Sequence, residues 1–456
     1  MVLNHKLAVY LLLTILIPPL TATADQQTAA NTTTPTGHHD ARFQWWQQAR
    51  FGMFIHWGPV SLKGTEIGWS RAREVPQPEY DSLYKNFNPT RFDAKEWVTI
   101  AKDTGMKYVV LTAKHHDGFC LWDTETTSYD IMSTPFKRDI VAELALACKK
   151  ANLTFCTYYS ILDWYHPDYN TGLRGQPGYQ LPPGQSPDID RYIAYMKSHL
   201  RELTTKHGPL GVMWFDGEWE KPWTHDHGVD LYQYVRSLQP DILINNRVDK
   251  GRQGAAGTTS DPHIYKGDFD TPEQEIGKFQ PERPWETCMT LCTQWAWKPN
   301  DKIKSLKQCM DILVRTVGGD GNLLLNVGPM PDGRIEPRQV KRLHEIGQWL
   351  KQNGHTIYGT RGGPFPPGDW GAATHKGIHI YLHILAWPKD PLCLPALPQK
   401  ITAARLLNGG SLSFKQTDQA TEISVPLQHR DPVDTIVVLQ LETPLKTPQS
   451  PKVPQQ

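Results

Sequence analysis

The residues that could carry chemistry in this sequence stand where short apolar runs end. Residues 211–215 form one such run, and Asp216 follows it directly. A short, continuously apolar run is typical of a strand that is buried on both faces. A carboxylate at the end of such a strand lies where barrel enzymes place their catalytic groups. An acidic loop after an ordinary strand would give the same pattern, so the rest of the chain has to decide between the two.

Polar and ionisable side chains recur at the ends of four further apolar runs. They are His56 after residues 51–55, His115 and His116 after 108–114, Tyr158 within 154–160 and Arg247 at the end of 242–247. A single histidine at such a position is commonly a buried residue with its hydrogen bonds satisfied. Three histidines at the ends of two strands weaken that interpretation and indicate a shared polar site.

Segments with the apolar spacing of amphipathic helices alternate with these runs. They begin near residues 93, 141, 189, 229, 302 and 337. Alternating strands and helices predict a parallel sheet that is covered by helices. About eight strand candidates, with neither a GxGxxG motif nor a phosphate-binding loop, favour a TIM-like (β/α)8 barrel over a dinucleotide fold. We therefore predict an α/β catalytic domain over residues 38–360.

The pattern changes beyond residue 360. Residues 377–384, 420–425 and 434–441 are short alternating segments between turn residues. Such segments predict a C-terminal antiparallel β-sandwich domain over residues 361–445. The Pro- and Gln-rich residues 446–456 are expected to be a disordered tail.

The N-terminus has the pattern of an export signal. A short segment with Lys6 precedes the apolar residues 7–17, and small residues follow at 22–24. We expect residues 1–24 to be a cleaved signal peptide, which makes the protein secreted or periplasmic. The polar, low-complexity residues 25–37 are expected to be a tether. The apolar run is too short for a membrane span.

Composition narrows the classes of partner. The chain of 456 residues has 48 basic and 47 acidic side chains, so a nucleic-acid or other polyanionic partner is not expected. Sixteen Trp and 17 Tyr residues are compatible with stacking on sugar faces, although aromatic residues are also core material. Seven cysteines are too few for a disulfide scaffold, so we expect mostly buried thiols, with room for one or two disulfides.

A site of this composition without a cofactor motif suggests hydrolysis of a neutral polar substrate. For a sugar, this chemistry needs two carboxylates, one as nucleophile and one as proton donor. Asp216, at a buried strand end, is the better nucleophile candidate. Glu218, Glu273, Glu275 and Glu286 all remain candidates for the proton donor, because sequence gives no carboxyl separation.

A metal site is the competing interpretation of His115-His116-Asp117. Adjacent residues of a regular strand point to opposite faces, so two neighbouring histidines would not bind one ion easily. The chain also has no HExxH motif. We therefore expect neither a metal nor another cofactor, and we expect the histidines to bind sugar hydroxyls as neutral imidazoles.

Five segments resemble, in the same order, the α-L-fucosidases of glycoside hydrolase family 29. They are residues 54–58 (FIHWG), 113–119 (AKHHDGF), 158–160 (YYS), 214–217 (WFDG) and 322–329 (NLLLNVGP). Each motif is weak alone, but five in register over roughly residues 43–360 are a specific signal. The resemblance implies a barrel, a C-terminal β-sandwich and a retaining mechanism.

The resemblance also implies roles for individual residues. Asp216 would be the nucleophile, and the segment Thr271-Pro272-Glu273 resembles the one that carries the acid/base in several members. Glu286, in a Pro-Trp-Glu-Thr-Cys variant of another family signature, is the second choice for that role. The substrate-binding residues would be His56, Trp69, His115, His116, Tyr158, Trp214 and Arg247. Tyr158 and Tyr159 point to opposite faces of one strand, so only one of them can face the site, and Tyr158 is chosen.

The sequence therefore predicts a retaining exo-α-L-fucosidase that acts on fucosylated oligosaccharides or glycoconjugates. One alternative is another retaining exo-glycosidase on the same barrel. A second, from a different class, is a catalytically inactive glycan-binding relative. The presence of Asp216 and of both acid candidates speaks against the loss of catalysis.

Overall fold

The computed structural model of the protein describes residues 40–169 and 177–445. The expected signal peptide (1–24), the tether (25–37) and the tail (446–456) lie outside the described residues.

A parallel sheet forms the centre of the first three quarters of the chain. In chain order the first nine strands are β1 (Phe51–Ile55), β2 (Tyr108–Lys114), β3 (Thr154–Ser160), β4 (Val212–Asp216), β5 (Leu243–Ile244), β6 (Arg252–Gln253), β7 (Thr258–Thr259), β8 (Glu286–Thr290) and β9 (Asn322–Val327). Strands β6 and β7 pair only with each other, and the other seven form one sheet in the order β5-β4-β3-β2-β1-β9-β8.

Residues 269–273 close this sheet between its two edge strands. Three isolated parallel bridges do so: Asn245 pairs with Phe269, Asp270 with Trp285, and Glu273 with Cys288. The segment thus takes the place of the remaining strand, and the predicted (β/α)8-like barrel is confirmed.

The strands are buried on both faces, as their apolar runs predict. On one face, the side chains of Phe54, Val110 and Leu324 fill the barrel interior. On the other face, Met53, Leu111 and Leu325 pack in the layer between the sheet and the helices. Covering both faces of a parallel sheet removes the alternation of polar and apolar residues that marks a half-exposed strand.

The helices of the barrel alternate with the strands. In chain order the helices are α1 (Gln44–Ala49), α2 (Gln77–Tyr80), α3 (Ala94–Asp103), α4 (Ile140–Ala151), α5 (Ile189–Lys206), α6 (His225–Leu238), α7 (Leu306–Gly318) and α8 (Pro337–Asn353). All six helices expected from the sequence are present, as α3 to α8. Helix α6 begins before residue 229 because Thr224 and His227 form a capping box, and α7 begins after 302 because Ser305 caps it. Among the described residues, no helix is long and apolar enough to cross a membrane.

The barrel departs from the regular alternation of strands and helices between β5 and α7. Residues 245–285, all described, contain no α-helix, and the β6–β7 hairpin stands in this stretch instead. No apolar run marks residues 284–290, yet 286–290 form β8. The polar side chains of Glu286, Thr287 and Thr290 hide this strand from an apolar pattern, although all three are buried.

Two antiparallel sheets form the C-terminal part, which confirms the predicted β-sandwich. Their strands are β10 (Arg361–Gly362), β11 (Gly371–Lys376), β12 (His379–Ile384), β13 (Leu392–Pro395), β14 (Ile401–Leu406), β15 (Ser413–Gln416), β16 (Ala420–Ser424) and β17 (Thr435–Leu441). One sheet has the order β10-β11-β12-β17-β14 and the other β13-β16-β15. Their shared core contains Leu382, Leu394, Ile423 and Leu439.

The cysteines carry no disulfide. All seven are free thiols, and all except Cys393 are buried. The expectation of buried thiols is confirmed, and the one or two disulfides for which the sequence left room are not formed.

A buried ion pair joins the start of the barrel to the residues after α7. Arg50 donates from Nη2 to Oδ1 of Asp320 over 2.6 Å, and both side chains are 1% exposed. Arg50 also donates to the carbonyl oxygen of Thr360, and Arg361 pairs with the same carboxylate. Removing one member of such a pair leaves a buried charge without its partner.

We expect Asp320→Ala to lower the free energy of unfolding by about 3–5 kcal/mol, because Arg50 stays buried and loses its carboxylate. Urea denaturation of the purified protein measures this. The control is Glu125→Ala, which breaks a surface pair with Lys206 and should leave the midpoint nearly unchanged. Equal midpoints for Asp320→Ala and the wild type would contradict the assignment.

Candidate active site

A pocket opens at the carboxyl ends of the barrel strands. Its wall consists of Phe54, His56, Trp69, His115, His116, Tyr158, Trp214, Asp216, Trp219, Arg247, Glu273, Cys288 and Trp295. The structure thus brings together every substrate-binding candidate with Asp216 and Glu273. Glu286 is not part of the wall.

Asp216 is the last residue of β4, and the chain turns away sharply after it. Gly217 makes this turn with φ of 95°. A Cβ atom at Gly217 would lie 2.8 Å from the side chain of Leu162. Only glycine fits both the left-handed conformation and this close approach, which explains the Asp-Gly sequence at the strand end.

The carboxylate of Asp216 has three polar neighbours. Its Oδ1 accepts a hydrogen bond from Nη1 of Arg247 over 2.6 Å, and its Oδ2 accepts one from Tyr158 Oη over 3.0 Å. Nε2 of His116 lies 3.6 Å from Oδ2. Burial alone would raise the pKa of Asp216, but Arg247 and His116 outweigh it, so the pKa is lowered. The group is therefore held ionised, as a nucleophile requires.

Glu273 faces Asp216 across the same guanidinium. Its Oε2 accepts a hydrogen bond from Nη2 of Arg247 over 2.8 Å. Its side chain is 31% exposed, so it reaches toward the mouth of the pocket. Two nitrogens of one guanidinium keep these carboxylates close together. Such proximity suits a retaining pair, whose carboxyl groups are about 5 Å apart.

Arg247 is itself fixed on several sides. Its guanidinium lies 4.5 Å from the centre of the Trp214 ring, and its Nε donates to Thr271 Oγ1 over 3.0 Å. The side chain is only 2% exposed. A planar guanidinium that is stacked and paired in this way presents its remaining N–H groups in one orientation.

All three histidines of the pocket are buried, and His56 and His115 are held neutral. Burial lowers the pKa of His56 to about 3 and that of His115 well below its ordinary value. Nδ1 of His56 lies 2.6 Å from Oδ1 of Asn326, and Nδ1 of His116 lies 2.7 Å from Ser160 Oγ. Neutral imidazoles of this kind can donate to and accept from hydroxyl groups.

His115 and His116 line the pocket together, although adjacent residues of a strand should diverge. Strand β2 ends at Lys114, its pairing with β3 is irregular between Thr112 and Lys114, and a turn follows in which Gly118 N donates to the carbonyl oxygen of His115. The strand alternation therefore does not apply to the two histidines, whose ring centroids are 4.1 Å apart. Among the described residues, no group of three or more His, Cys, Asp or Glu side chains is arranged to hold a metal ion.

The two adjacent tyrosines of β3 have different surroundings. Tyr158 points into the pocket, whereas Tyr159 points to the helix layer, where its hydroxyl lies 2.9 Å from Nδ1 of His199. Strand alternation separates them, and the hydrogen bond to Asp216 belongs to Tyr158 alone.

Glu286 occupies the opposite end of the barrel from the pocket. It is the first residue of β8 and is completely buried. Its Oε1 accepts from Trp214 Nε1 over 3.1 Å, and its Oε2 accepts from Trp46 Nε1 over 3.3 Å and from the hydroxyl of Tyr108. The hydrogen bond from Trp214 to Glu286 fixes the indole ring from the side away from the pocket. Arg247 stacks on this ring.

The other two carboxylates considered from the sequence also lie off the pocket wall. Glu275 is exposed. Glu218 is buried, and its Oε1 lies 3.6 Å from Nη1 of Arg252. Neither is placed to touch a molecule in the pocket.

Sequence reasoning missed four residues of the wall, Phe54, Trp219, Cys288 and Trp295. Phe54 stands inside the motif 54–58, and Trp219 follows the motif 214–217 by two residues, so their proximity to His56 and Asp216 was the available signal. Trp295 lies in an irregular loop with no periodic pattern. It is positioned from a distance, because Glu66 accepts a hydrogen bond from its backbone N over 2.8 Å.

Comparison with known proteins identifies the group to which this arrangement belongs. The family model described as alpha-L-fucosidase matches residues 19–355. The plasma alpha-L-fucosidase of Pongo abelii is 31% identical over 403 residues, which cover 80% of this chain and 82% of that protein. The tissue alpha-L-fucosidase of Bos taurus is 29% identical over 76% of this chain and 75% of its own length.

Solved structures give the same result. Alpha-L-fucosidase isoenzyme 1 from Paenibacillus thiaminolyticus superposes with a TM-score of 0.78 at 36% identity, over 88% of this chain and 99% of the other. A family 29 alpha-L-fucosidase from Bacteroides thetaiotaomicron, trapped as a covalent intermediate with 2-fluoro-fucosyl fluoride, has a TM-score of 0.76. It is 28% identical over 89% of this chain and 97% of its own.

The burial of Glu286 generates a prediction about stability and pH. Burial raises its pKa from the ordinary 4.5 to about 7, against hydrogen bonds from Tyr108, Trp214 and Trp46 that lower it. The folded protein then binds this proton more tightly than the unfolded chain. Its contribution to stability is therefore lost as the pH rises from about 4.5 to about 7.

Glu286→Gln removes this titration while it keeps the shape of the side chain. Relative to the wild type, we expect the variant to gain about 2 kcal/mol of unfolding free energy between pH 5 and pH 8. Urea denaturation of both proteins at the two pH values measures the difference. A difference that does not change with pH would contradict the assigned burial of the charge.

Proposed function

This chain belongs to the α-L-fucosidase family of glycoside hydrolase family 29, and from that premise we propose which residues carry its reaction. The protein is a retaining α-L-fucosidase. We assign the nucleophile to Asp216 and the acid/base to Glu273. The observation that supports both assignments is the Arg247 guanidinium, which donates to the two carboxylates from two of its nitrogens at the pocket wall.

In the first step, an oxygen of Asp216 attacks the anomeric carbon of the fucosyl group. The bond from that carbon to the glycosidic oxygen breaks, and Glu273 gives its proton to the departing oxygen. The product is a fucosyl ester of Asp216, with Glu273 left as a carboxylate. The ionised state of Asp216, which is maintained by Arg247 and His116, suits this attack.

In the second step, Glu273 takes a proton from water, and the water oxygen attacks the same carbon. The ester bond breaks, fucose leaves with its original anomeric configuration, and Glu273 is protonated again. Two displacements on opposite faces of the ring give retention. The partial exposure of Glu273 supports this role, since both a leaving group and a water molecule must reach it.

The remaining wall residues are proposed to bind fucose. His56, His115 and His116 would exchange hydrogen bonds with ring hydroxyls, together with Tyr158 and Arg247. The aromatic faces of Trp69 and Trp214 would cover the less polar parts of the sugar. A pocket that is closed by the barrel floor accepts a chain end, which supports exo-action on terminal fucose of oligosaccharides and glycoconjugates.

We also propose that residues 1–24 direct the chain out of the cytoplasm, to the periplasm or the medium. The support is the charged, apolar and small-residue pattern of the N-terminus.

Asp216→Gly should lower kcat on an aryl α-L-fucoside by roughly three orders of magnitude or more, because no covalent intermediate can form. Azide should restore turnover and yield β-fucosyl azide, since one displacement at the open site inverts the configuration. Proton NMR of the product identifies the anomer. Wild-type turnover without azide would place the nucleophile elsewhere.

Glu273→Ala should lower kcat/KM by about 10²- to 10⁴-fold on a fucosylated oligosaccharide, whose leaving group needs a proton. The loss should be far smaller on an aryl fucoside with a good leaving group. Glu275→Ala, two residues further along and exposed, is the matched control and should behave as the wild type. Equal losses on both substrates would contradict the assignment.

A further inference from the structure

Arg252 stands between two carboxylates behind the pocket wall. Its Nη1 lies 3.6 Å from Oε1 of Glu218, and its Nη2 lies 3.5 Å from Oε2 of Glu273. The side chains of Arg252 and Glu218 are only 9% and 5% exposed. Neither residue lines the pocket. The pair reaches the pocket wall through the contact of Arg252 with Glu273.

Charged groups of both signs cluster around the pocket. Two guanidiniums, Arg247 and Arg252, face three carboxylates, Asp216, Glu218 and Glu273. Arg252 lies between Glu218 and Glu273, so an ionised Glu218 offsets part of the positive charge that Arg252 presents to Glu273.

The carboxyl of Glu218 is buried beside these charges. Its Oε2 is buried and, among the described residues, has no hydrogen-bond partner. Burial is the largest cause that raises the pKa of Glu218 to about 7, with Asp216 adding to the rise and Arg247 and Arg252 opposing it. Glu273 accepts a hydrogen bond from Nη2 of Arg247.

Other charged or titratable groups also face the pair. Near Glu218 these are Lys250, whose Nζ donates to the carbonyl oxygen of Glu218 over 2.6 Å, and Tyr169. Near Glu273 they are Tyr158 and Cys288. Burial raises the pKa of all three of Tyr169, Tyr158 and Cys288, so they stay neutral across the working range. The charge that acts on Glu273 and Glu218 therefore depends on Arg247, Arg252 and Lys250 and on the carboxylates themselves.

We propose that Glu218, acting through Arg252, is a positioning residue that allows Glu273 to hold the proton it donates. When Glu218 is ionised, it offsets the charge of Arg252, and the proton can reside on Glu273. When residue 218 is permanently neutral, both guanidiniums act on Glu273 and stabilise its carboxylate, which cannot donate. The inference rests on the proposed acid/base role of Glu273.

The pH dependence of kcat/KM on a fucosylated oligosaccharide tests this coupling. The basic limb of the profile is the range in which kcat/KM falls as the pH rises. For Glu218→Gln, we expect this limb to move to lower pH by at least about one unit, with the smallest loss of activity at the most acidic pH. For Arg252→Gln, the limb should move in the opposite direction, because a charge that opposes protonation of Glu273 is removed. Activity of Glu218→Gln on an activated aryl fucoside, which needs no acid, should change much less.

Charge-preserving variants separate this coupling from a structural effect. Glu218→Asp and Arg252→Lys keep the charges and should keep the limb within a few tenths of a pH unit of the wild type. If Glu218→Gln does not fold, judged by its unfolding midpoint, the comparison of Arg252→Gln with Arg252→Lys still decides the matter. Limbs that stay at the wild-type pH, or that move in the same direction in both neutral variants, would overturn the proposal.

Glu273→Gln distinguishes failure of this inference from failure of the acid/base assignment. If that variant loses the basic limb while Glu218→Gln and Arg252→Gln keep it at the wild-type pH, Glu273 is the acid and the coupling is wrong. If the basic limb persists in Glu273→Gln, the acid lies elsewhere and both proposals fall.

Discussion

The double ion pair of Arg247 is the interaction on which the site depends. A guanidinium that is almost completely removed from water must find partners, because an unpaired buried charge is very unfavourable. Here the partners are Asp216 and Glu273, which come from β4 and from the irregular segment that closes the barrel. The need to satisfy one cation thus brings together two carboxylates that are distant in sequence. It also holds Asp216 ionised against the effect of its own burial.

This arrangement is supported from the opposite end of the barrel. Glu286, Trp214 and Arg247 form a column that runs from the amino ends of the strands to the pocket. The indole of Trp214 donates to the carboxylate below and presents its face to the guanidinium above. Strand β8 begins with a polar residue because Glu286 places its carboxylate in the barrel interior. There it accepts hydrogen bonds from β2, β4 and α1. Buried polar networks of this kind orient side chains when each member has a partner.

The irregular part of the barrel has a matching role. Between β5 and α7 the described residues form a hairpin, a bridging segment and a short strand, and no α-helix. Loops at the carboxyl end of a barrel can carry side chains into the mouth of the pocket without changing the barrel itself. Arg247, Arg252 and Glu273 all belong to this stretch. The part of the fold that departs most from the regular pattern therefore supplies most of the charge around Asp216.

The sequence by itself determined which strand ends would meet. Parallel strands point in one direction, so His56, His115, Tyr158, Asp216 and Arg247 had to gather at one end of the barrel once their apolar runs were identified as strands. The order of the motifs was enough to indicate the family, and the alternating segments after residue 360 were enough to indicate the sandwich.

Only the tertiary structure decided which glutamates lie at the pocket. Apart from the family resemblance, which favoured Glu273, the sequence does not separate Glu218, Glu273, Glu275 and Glu286, because a carboxylate is distinguished by its distance from a partner and by its removal from water. Those quantities arise from segments that are far apart in the chain: β8 begins at Glu286 and buries it at the far end, whereas the bridge between Glu273 and Cys288 brings Glu273 to the mouth. The same reason left Arg252 unnoticed, since nothing in its local sequence indicates that it stands between two carboxylates.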